Sequence, residues 1–124
     1  MELIIGGAYQ GKLEYAKAVH SLEDKDIYKC KEEPVQLGAK CIYGLESYTL
    51  WCAKNKKEPV EYFKSTKGLW RDSVIICSDI SCGVVPIDPV MRAWREANGR
   101  LVNYLSGEAD RVVRVFCGLP QVIK

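Results

Sequence analysis

Glu2-Leu3-Ile4-Ile5-Gly6-Gly7-Ala8-Tyr9-Gln10-Gly11-Lys12-Leu13 decides how the rest of the chain is read. Residues 2–5 are apolar enough to form a short buried strand. They lead into G-x-x-x-x-G-K spacing, and a helix is predicted from Lys12 to His20. Strand, glycine loop, lysine and helix in that order make a phosphate cradle. The glycines let the backbone fold back so that several N–H groups converge on one anion. The helix adds unsatisfied N-terminal donors and the positive end of its dipole. Lys12 supplies a point charge for the outer phosphates. The usual pattern ends in Ser or Thr, whose hydroxyl holds Mg²⁺, but here the position is Leu13. Two readings stay open: a cradle without its metal handle, in which Gly6, Gly7, Ala8, Tyr9, Gln10, Gly11, Lys12 and Leu13 surround a nucleotide, and a plain glycine turn.

The chain has 124 residues, which suits one domain spanning 1–124. A net charge of +2 is too small to argue for nucleic acid, and Lys54, Lys56 and Lys57 read as a solvated helix end. No apolar run approaches the ~18 residues a membrane span needs. Met1-Glu2 is not a basic leader and the apolar run stops at Gly6, so no cleavable signal is expected. The six cysteines include no C-x-x-C pair, and the chain has one histidine, which argues against zinc. Reduced thiols in a cytoplasmic protein are expected. Cys77 and Cys117 lie in runs that look like central strands, where a thiol is a small hydrophobe. Cys82 falls in a loop.

Further along, 26–30 and 41–45 are weak strand candidates, with Pro34 interrupting the segment between them. A helix is predicted from Tyr48 to Lys56 with Leu50 and Trp51 inward. Pro59 opens another helix to about Ser65. Ser73 to Ser78 is a near-continuous apolar run, as in a strand covered on both faces. A loop follows from Asp79 to Asp88. Pro89 opens a long helix whose residues Val90, Trp94, Ala97, Leu101 and Leu105 recur at helical spacing, with Gly107 as its stop. Arg111 to Cys117 is a second strong strand. Alternating strands and helices imply an α/β protein with a parallel sheet.

Several of these segments resemble one family in order and spacing. The chain is similar to the adenosylcobinamide kinase/adenosylcobinamide-phosphate guanylyltransferase family of cobalamin biosynthesis. The strand from Val74 with its acidic turn ends in Gly83-Val84-Val85-Pro86, against the family's G-I-V-P. Gly99-Arg100-Leu101, Ala109-Asp110 and Gly118-Leu119-Pro120 follow, and Thr49-Leu50-Trp51 and the loop residues Gly6-Gly7-Ala8 and Gly11-Lys12 are also shared. The resemblance implies a P-loop NTPase-like (RecA-like) parallel sheet with helices on both faces. It also implies ATP or GTP as nucleotide, Mg²⁺, a corrinoid acceptor and a homo-oligomer.

The departures bear on chemistry. Tyr9 and Gln10 replace the family's Arg and Ser, and Leu13 replaces its hydroxyl residue. Glu46 stands where the family has Asp before T-L-W. Ser78-Asp79 replaces Asn-Glu. Glu46 and Asp79 are the candidate Mg²⁺ carboxylates, acting through water, or else solvated loop residues. The chain is shorter between the first helix and Thr49, where the family places the histidine that carries the guanylyl group. His20, the one histidine, reads as a helix-end residue. Two functions follow: a reduced kinase or nucleotidyltransferase of corrinoids, or a noncatalytic nucleotide- or corrinoid-binding relative acting as a partner subunit.

Overall fold

Three apolar segments dictate the centre of the molecule, because each must be covered on both faces. The computed structural model describes residues 1–8, 10–80 and 88–124. In chain order the elements are β1 (Glu2–Gly6), α1 (Lys12–His20), β2 (Ile27–Lys29), β3 (Cys41–Tyr43), α2 (Leu45–Asn55), α3 (Pro59–Ser65), α4 (Lys67–Trp70), β4 (Val74–Ser78), α5 (Pro89–Glu108), β5 (Arg111–Phe116) and β6 (Leu119–Val122). The sheet order is β2-β3-β4-β1-β5-β6. β1 pairs in parallel with β4 on one side and β5 on the other, with Leu3 opposite Ile75 and Val112. The β2–β3 and β3–β4 pairs are also parallel, and among the described strands only β6 runs antiparallel. This is the parallel α/β sheet expected from the alternation of elements, and the P-loop-like fold that the resemblance implies.

Side chains alternate across the sheet, so the apolar runs feed two cores. Leu3, Ile75 and Val112 join Leu45, Tyr48, Cys52, Phe63, Trp70, Leu101 and Leu105 beneath α2, α3, α4 and α5. Ile4, Ile76 and Val113 face the other way and pack with Ala16 of α1. The first core holds a run of aromatic rings: Phe63 lies 6.0 Å from Tyr48 and 5.8 Å from Trp70, and Trp70 meets Tyr104 edge-on at 6.2 Å. The Trp70 indole N–H donates to the Phe63 carbonyl at 3.0 Å, so the largest buried ring leaves no polar group unmade.

Helix starts follow their local signals. Asp88 accepts from the Val90 N–H at 2.8 Å ahead of Pro89, and Glu58 accepts from the Val60 N–H at 3.3 Å ahead of Pro59.

Several expectations are corrected. α2 begins at Leu45 and buries Leu45, Tyr48, Thr49 and Cys52, so its inward face is not Leu50 and Trp51. Both of those are partly exposed, and Trp51 stacks on Tyr48 at 6.1 Å. Gly107 lies inside α5, which ends at Glu108. Lys124 caps the last carbonyls there, donating to Ser106 and Gly107 at 3.1 and 3.0 Å, so no left-handed glycine is required. β5 stops at Phe116, and Cys117 (φ 50°) and Gly118 (φ 77°) form a two-residue hairpin to β6. Positive φ at both positions suits the right-handed strand twist, so Cys117 is an exposed turn residue instead of a core thiol. The expected loop motif at 83–86 and Cys82 lie outside the described residues. Among the described residues no helix is long and apolar enough to cross a membrane.

Phe63 is fully buried and Val19 is 53% exposed. Phe63→Ala is expected to destabilise the protein by about 3–5 kcal/mol, and Val19→Ala by no more than about 0.5 kcal/mol. Urea unfolding of the two variants checks the contrast.

Candidate functional site

The chain leaves β1 toward β2 and leaves β4 toward β5, so the sheet has its switch point between β1 and β4. In open α/β sheets the crevice at the carboxyl ends of such strands is where ligands bind. Three segments meet there. The Gly6 carbonyl accepts from the Asp79 N–H at 2.7 Å, which joins the ends of β1 and β4. Glu46, in the first turn of α2, accepts from the Ser78 N–H through Oε1 at 2.9 Å. The Gly44 N–H donates to Ile76 at 3.1 Å, which fixes where α2 starts.

The loop at 6–12 rises from this edge. Gly6 has φ 156°, and a Cβ there would collide with the Val115 carbonyl oxygen of β5. Gly11 has φ 87° and approaches the Cα of Gly118. Gln10 ties the loop to the β5–β6 turn twice: its Oε1 accepts from the Cys117 N–H at 2.5 Å, and its carbonyl accepts from the Gly118 N–H at 2.9 Å. Lys12 opens α1 and is 5% exposed. Its Nζ turns back into the loop and donates to the Gly7 carbonyl at 2.6 Å. Burial lowers the Lys12 pKa, and the charge of Glu46 opposes that shift. Glu46 and Lys12 are thus brought into one electrostatic site. Leu13 packs against the α1-side core, so the position after the lysine contributes apolar contact and no oxygen. Ala8 follows Gly7 at the loop bend, and Tyr9 lies outside the described residues.

A cavity of about 440 Å³ adjoins the loop on the α5 side of the sheet. Gly6, Gly7, Gln10 and Asp79 line one part of it, and Asn98 and Asn103 of α5 line another, with Arg114 and Phe116 of β5 at the side. Behind it is a buried polar knot with no counterpart in the sequence expectations. Thr49 Oγ1 lies 2.8 Å from Asn98 Oδ1 and 3.0 Å from the Glu46 carbonyl, which also accepts from the Trp94 indole N–H at 2.8 Å. The Cys77 thiol is 3.4 Å from Asn98 Oδ1. Trp94, one of the residues at helical spacing on α5, therefore helps hold the first turn of α2 that carries Glu46. The available signal for Asn98 was a polar residue beside Ala97 and Leu101 on the buried stripe of α5.

His20 sits elsewhere. Its Nε2 is 2.8 Å from Glu2 Oε2, and the same nearly buried carboxylate accepts from Arg111 Nε at 3.2 Å. Glu2 begins β1 and Gly6 ends it, and at about 3.3 Å per residue that places the two roughly 13 Å apart. The described thiols are free, and burial pushes Cys41 up to about 11 and Cys30 up to about 12. Burial also pushes Cys77 upward, so these buried thiols are not thiolate nucleophiles at neutral pH.

The close approach of Gly6 to β5 has a measurable consequence. Gly6→Ala is expected to destabilise the protein by about 1–3 kcal/mol through overpacking. Gly7→Ala, whose Cβ would meet only the Gln10 side chain at 3.6 Å, is expected to stay within about 0.5 kcal/mol. Urea unfolding of both variants reads the difference.

No curated protein matches the chain. The family model described as cobinamide kinase / cobinamide phosphate guanyltransferase matches residues 39–123. That span is more than half of the chain and holds Glu46, the polar knot, β4, α5 and the β5–β6 hairpin, whereas the glycine loop and α1 precede it. On that match the chain belongs to the cobinamide kinase / cobinamide phosphate guanyltransferase family.

Proposed function

We propose that this chain binds a nucleoside triphosphate on the loop at 6–12 and serves the kinase half of its family's chemistry, phosphoryl transfer to a corrinoid, with guanylyl transfer through histidine lost. The observation that carries this reading is the buried Lys12 ammonium, turned into the loop at the β1–β4 crevice with Glu46 acting on its charge. A bound phosphate would replace the neutral Gly7 carbonyl as the acceptor of Lys12, and a charge-assisted bond is the stronger of the two. Mg²⁺ is commonly held by one or two carboxylates, phosphate oxygens and several waters. Glu46 would take that role, with Asp79 at the same edge, and Leu13 offers nothing. The donor set fits a water-rich ion held chiefly by the nucleotide, and when bound the ion neutralises phosphate charge.

A second reading is a noncatalytic nucleotide- or corrinoid-binding subunit. The packing of Leu13 into the core favours it, because the protein ligand most often given to Mg²⁺ in such loops is absent. Incubation with cobinamide and γ-labelled ATP separates the two: label on the corrinoid supports the kinase, and nucleotide binding without transfer supports the binding subunit.

Titration calorimetry with ATP and GTP tests the loop itself. Binding is expected to change little when Mg²⁺ is omitted. Lys12→Ala is expected to weaken it more than tenfold, about 1.5–3 kcal/mol for a lost charged hydrogen bond. An unchanged affinity in that variant would mean that the loop is only a turn.

The loss of guanylyl transfer is read from the protein after incubation with α-labelled GTP and Mg²⁺, isolated under alkaline conditions that preserve phosphorus–histidine bonds. His20 is bound to Glu2 at the far end of β1, so no retained label is expected. Retention in the native chain and its disappearance in His20→Ala would refute the argument.

A further inference from the structure

Three aromatic side chains come together where α2 meets α3. Tyr48 and Trp51 lie one turn apart on α2, and their rings stack at 6.1 Å. Tyr62, one turn into α3, brings its ring to 6.4 Å from that of Tyr48. We propose that the cleft lined by these rings, with Pro34 and Val35 opposite, is a second ligand site that takes a small aryl carboxylate. The aryl ring lies against Tyr48, Trp51 and Tyr62, and the carboxylate meets Lys57.

Size and wall chemistry select the ring. The cleft has a volume of about 240 Å³. An apolar cavity of about 150 Å³ takes benzene, so there is room for one substituted ring. Tyr48 is 4% exposed and forms the floor, whereas Trp51 is half-buried and Tyr62 is exposed. Aromatic pairs favour offset-stacked or edge-to-face contact. The Tyr48 and Tyr62 rings are inclined at 51°, so a guest ring that stacks on one meets the other by its edge.

Charge selects the carboxylate. Lys57 and Glu58 both line the cleft. Glu58 is already engaged: Oε1 accepts from the Val60 N–H at 3.3 Å and Oε2 from Arg100 at 3.0 Å. Nearby, Lys54 pairs with Glu32, but Lys57 makes no ion pair among the described residues. The indole N–H groups of Trp70 and Trp94 donate to backbone carbonyls, whereas that of Trp51 has no acceptor among the described residues. The charge left over at the cleft is therefore positive, and an indole donor is left over with it. A cationic guest would meet Lys57 uncompensated, and a carboxylate pairs with it. None of the cleft residues belongs to the loop at 6–12 or lines the cavity beside it, so this guest and a nucleotide bind independently.

The test is ligand-observed fluorine NMR of the full chain with 4-fluorophenylacetate, with 4-fluorobenzylamine as the cationic counterpart and ATP as competitor. The native chain is expected to bind 4-fluorophenylacetate with a Kd of about 1 mM or tighter, as a fragment of that size can. ATP is expected not to displace it. Tyr62→Ala is expected to weaken binding at least about threefold, and Lys57→Glu at least about fivefold, with 4-fluorobenzylamine then the better ligand. Lys57 is exposed, and its backbone N–H, not its side chain, closes α2 on the Cys52 carbonyl. Lys57→Glu thus keeps the test decisive even if Tyr62→Ala fails to fold. Absence of binding to the native chain overturns the site. Displacement by ATP also overturns it, because the probe would then sit at the crevice. Unchanged affinity in Lys57→Glu overturns the carboxylate assignment. Tighter binding of 4-fluorobenzylamine than of 4-fluorophenylacetate by the native chain overturns it as well, and makes the cleft an aromatic cage for cations.

Discussion

β1 is held between β4 and β5 so closely that its last residue can have no side chain. The Val115 carbonyl fills the space where a Cβ of Gly6 would stand. That contact decides where the chain leaves the sheet, and so the direction in which the loop at 6–12 turns. The loop is then fixed from its other end, because Gln10 accepts two N–H groups of the β5–β6 turn and Gly11 lies against Gly118. A loop anchored at both ends directs Lys12 inward, although desolvation of an ammonium opposes it, and the Gly7 carbonyl and the charge of Glu46 offset that cost.

The polar knot does the same for the other half of the crevice. Buried polar groups in a low-dielectric interior must be paired, and once paired they allow few alternative arrangements. Thr49, Trp94 and Asn98 meet this requirement among themselves and the Glu46 carbonyl, joining α2 to α5. The first turn of α2 is thereby oriented so that the Glu46 carboxylate reaches the Ser78 N–H at the end of β4. Two independent sets of contacts, one on each side of the switch point, thus converge on the same edge of the sheet.

Membership in the cobinamide kinase / cobinamide phosphate guanyltransferase family rests on residues 39–123, the part that carries Glu46 and the knot. The loop at 6–12 lies before that span. The departures divide along physical lines. Leu13 exchanges an oxygen for packing against the α1-side core. His20 is hydrogen-bonded to Glu2 at the amino end of the sheet, and Arg111 pairs with the other oxygen of the same nearly buried carboxylate.

The amino-acid sequence determined the α/β class, the three central strands, the helix starts at Pro59 and Pro89, and the loop with its lysine. Each of these is a local matter of apolar runs, proline geometry and glycine spacing, which short stretches of chain express by themselves. Its resemblance to a family also carried Glu46 as a candidate, by counting back from Thr49. The inward face of α2, the turn at Cys117 and Gly118, the extension of α5 through Gly107, and the knot around Asn98 were decided by tertiary structure alone. α2 has apolar residues on more than one face, so only docking against β4 and α5 selects which of them are buried. Gly107 stays helical because Lys124, distant in sequence, caps the carbonyls that a left-handed glycine would otherwise satisfy. Asn98 became legible only when Thr49 and Cys77 were brought beside it, because a polar residue on an apolar stripe has no meaning until its hydrogen-bond partner is known.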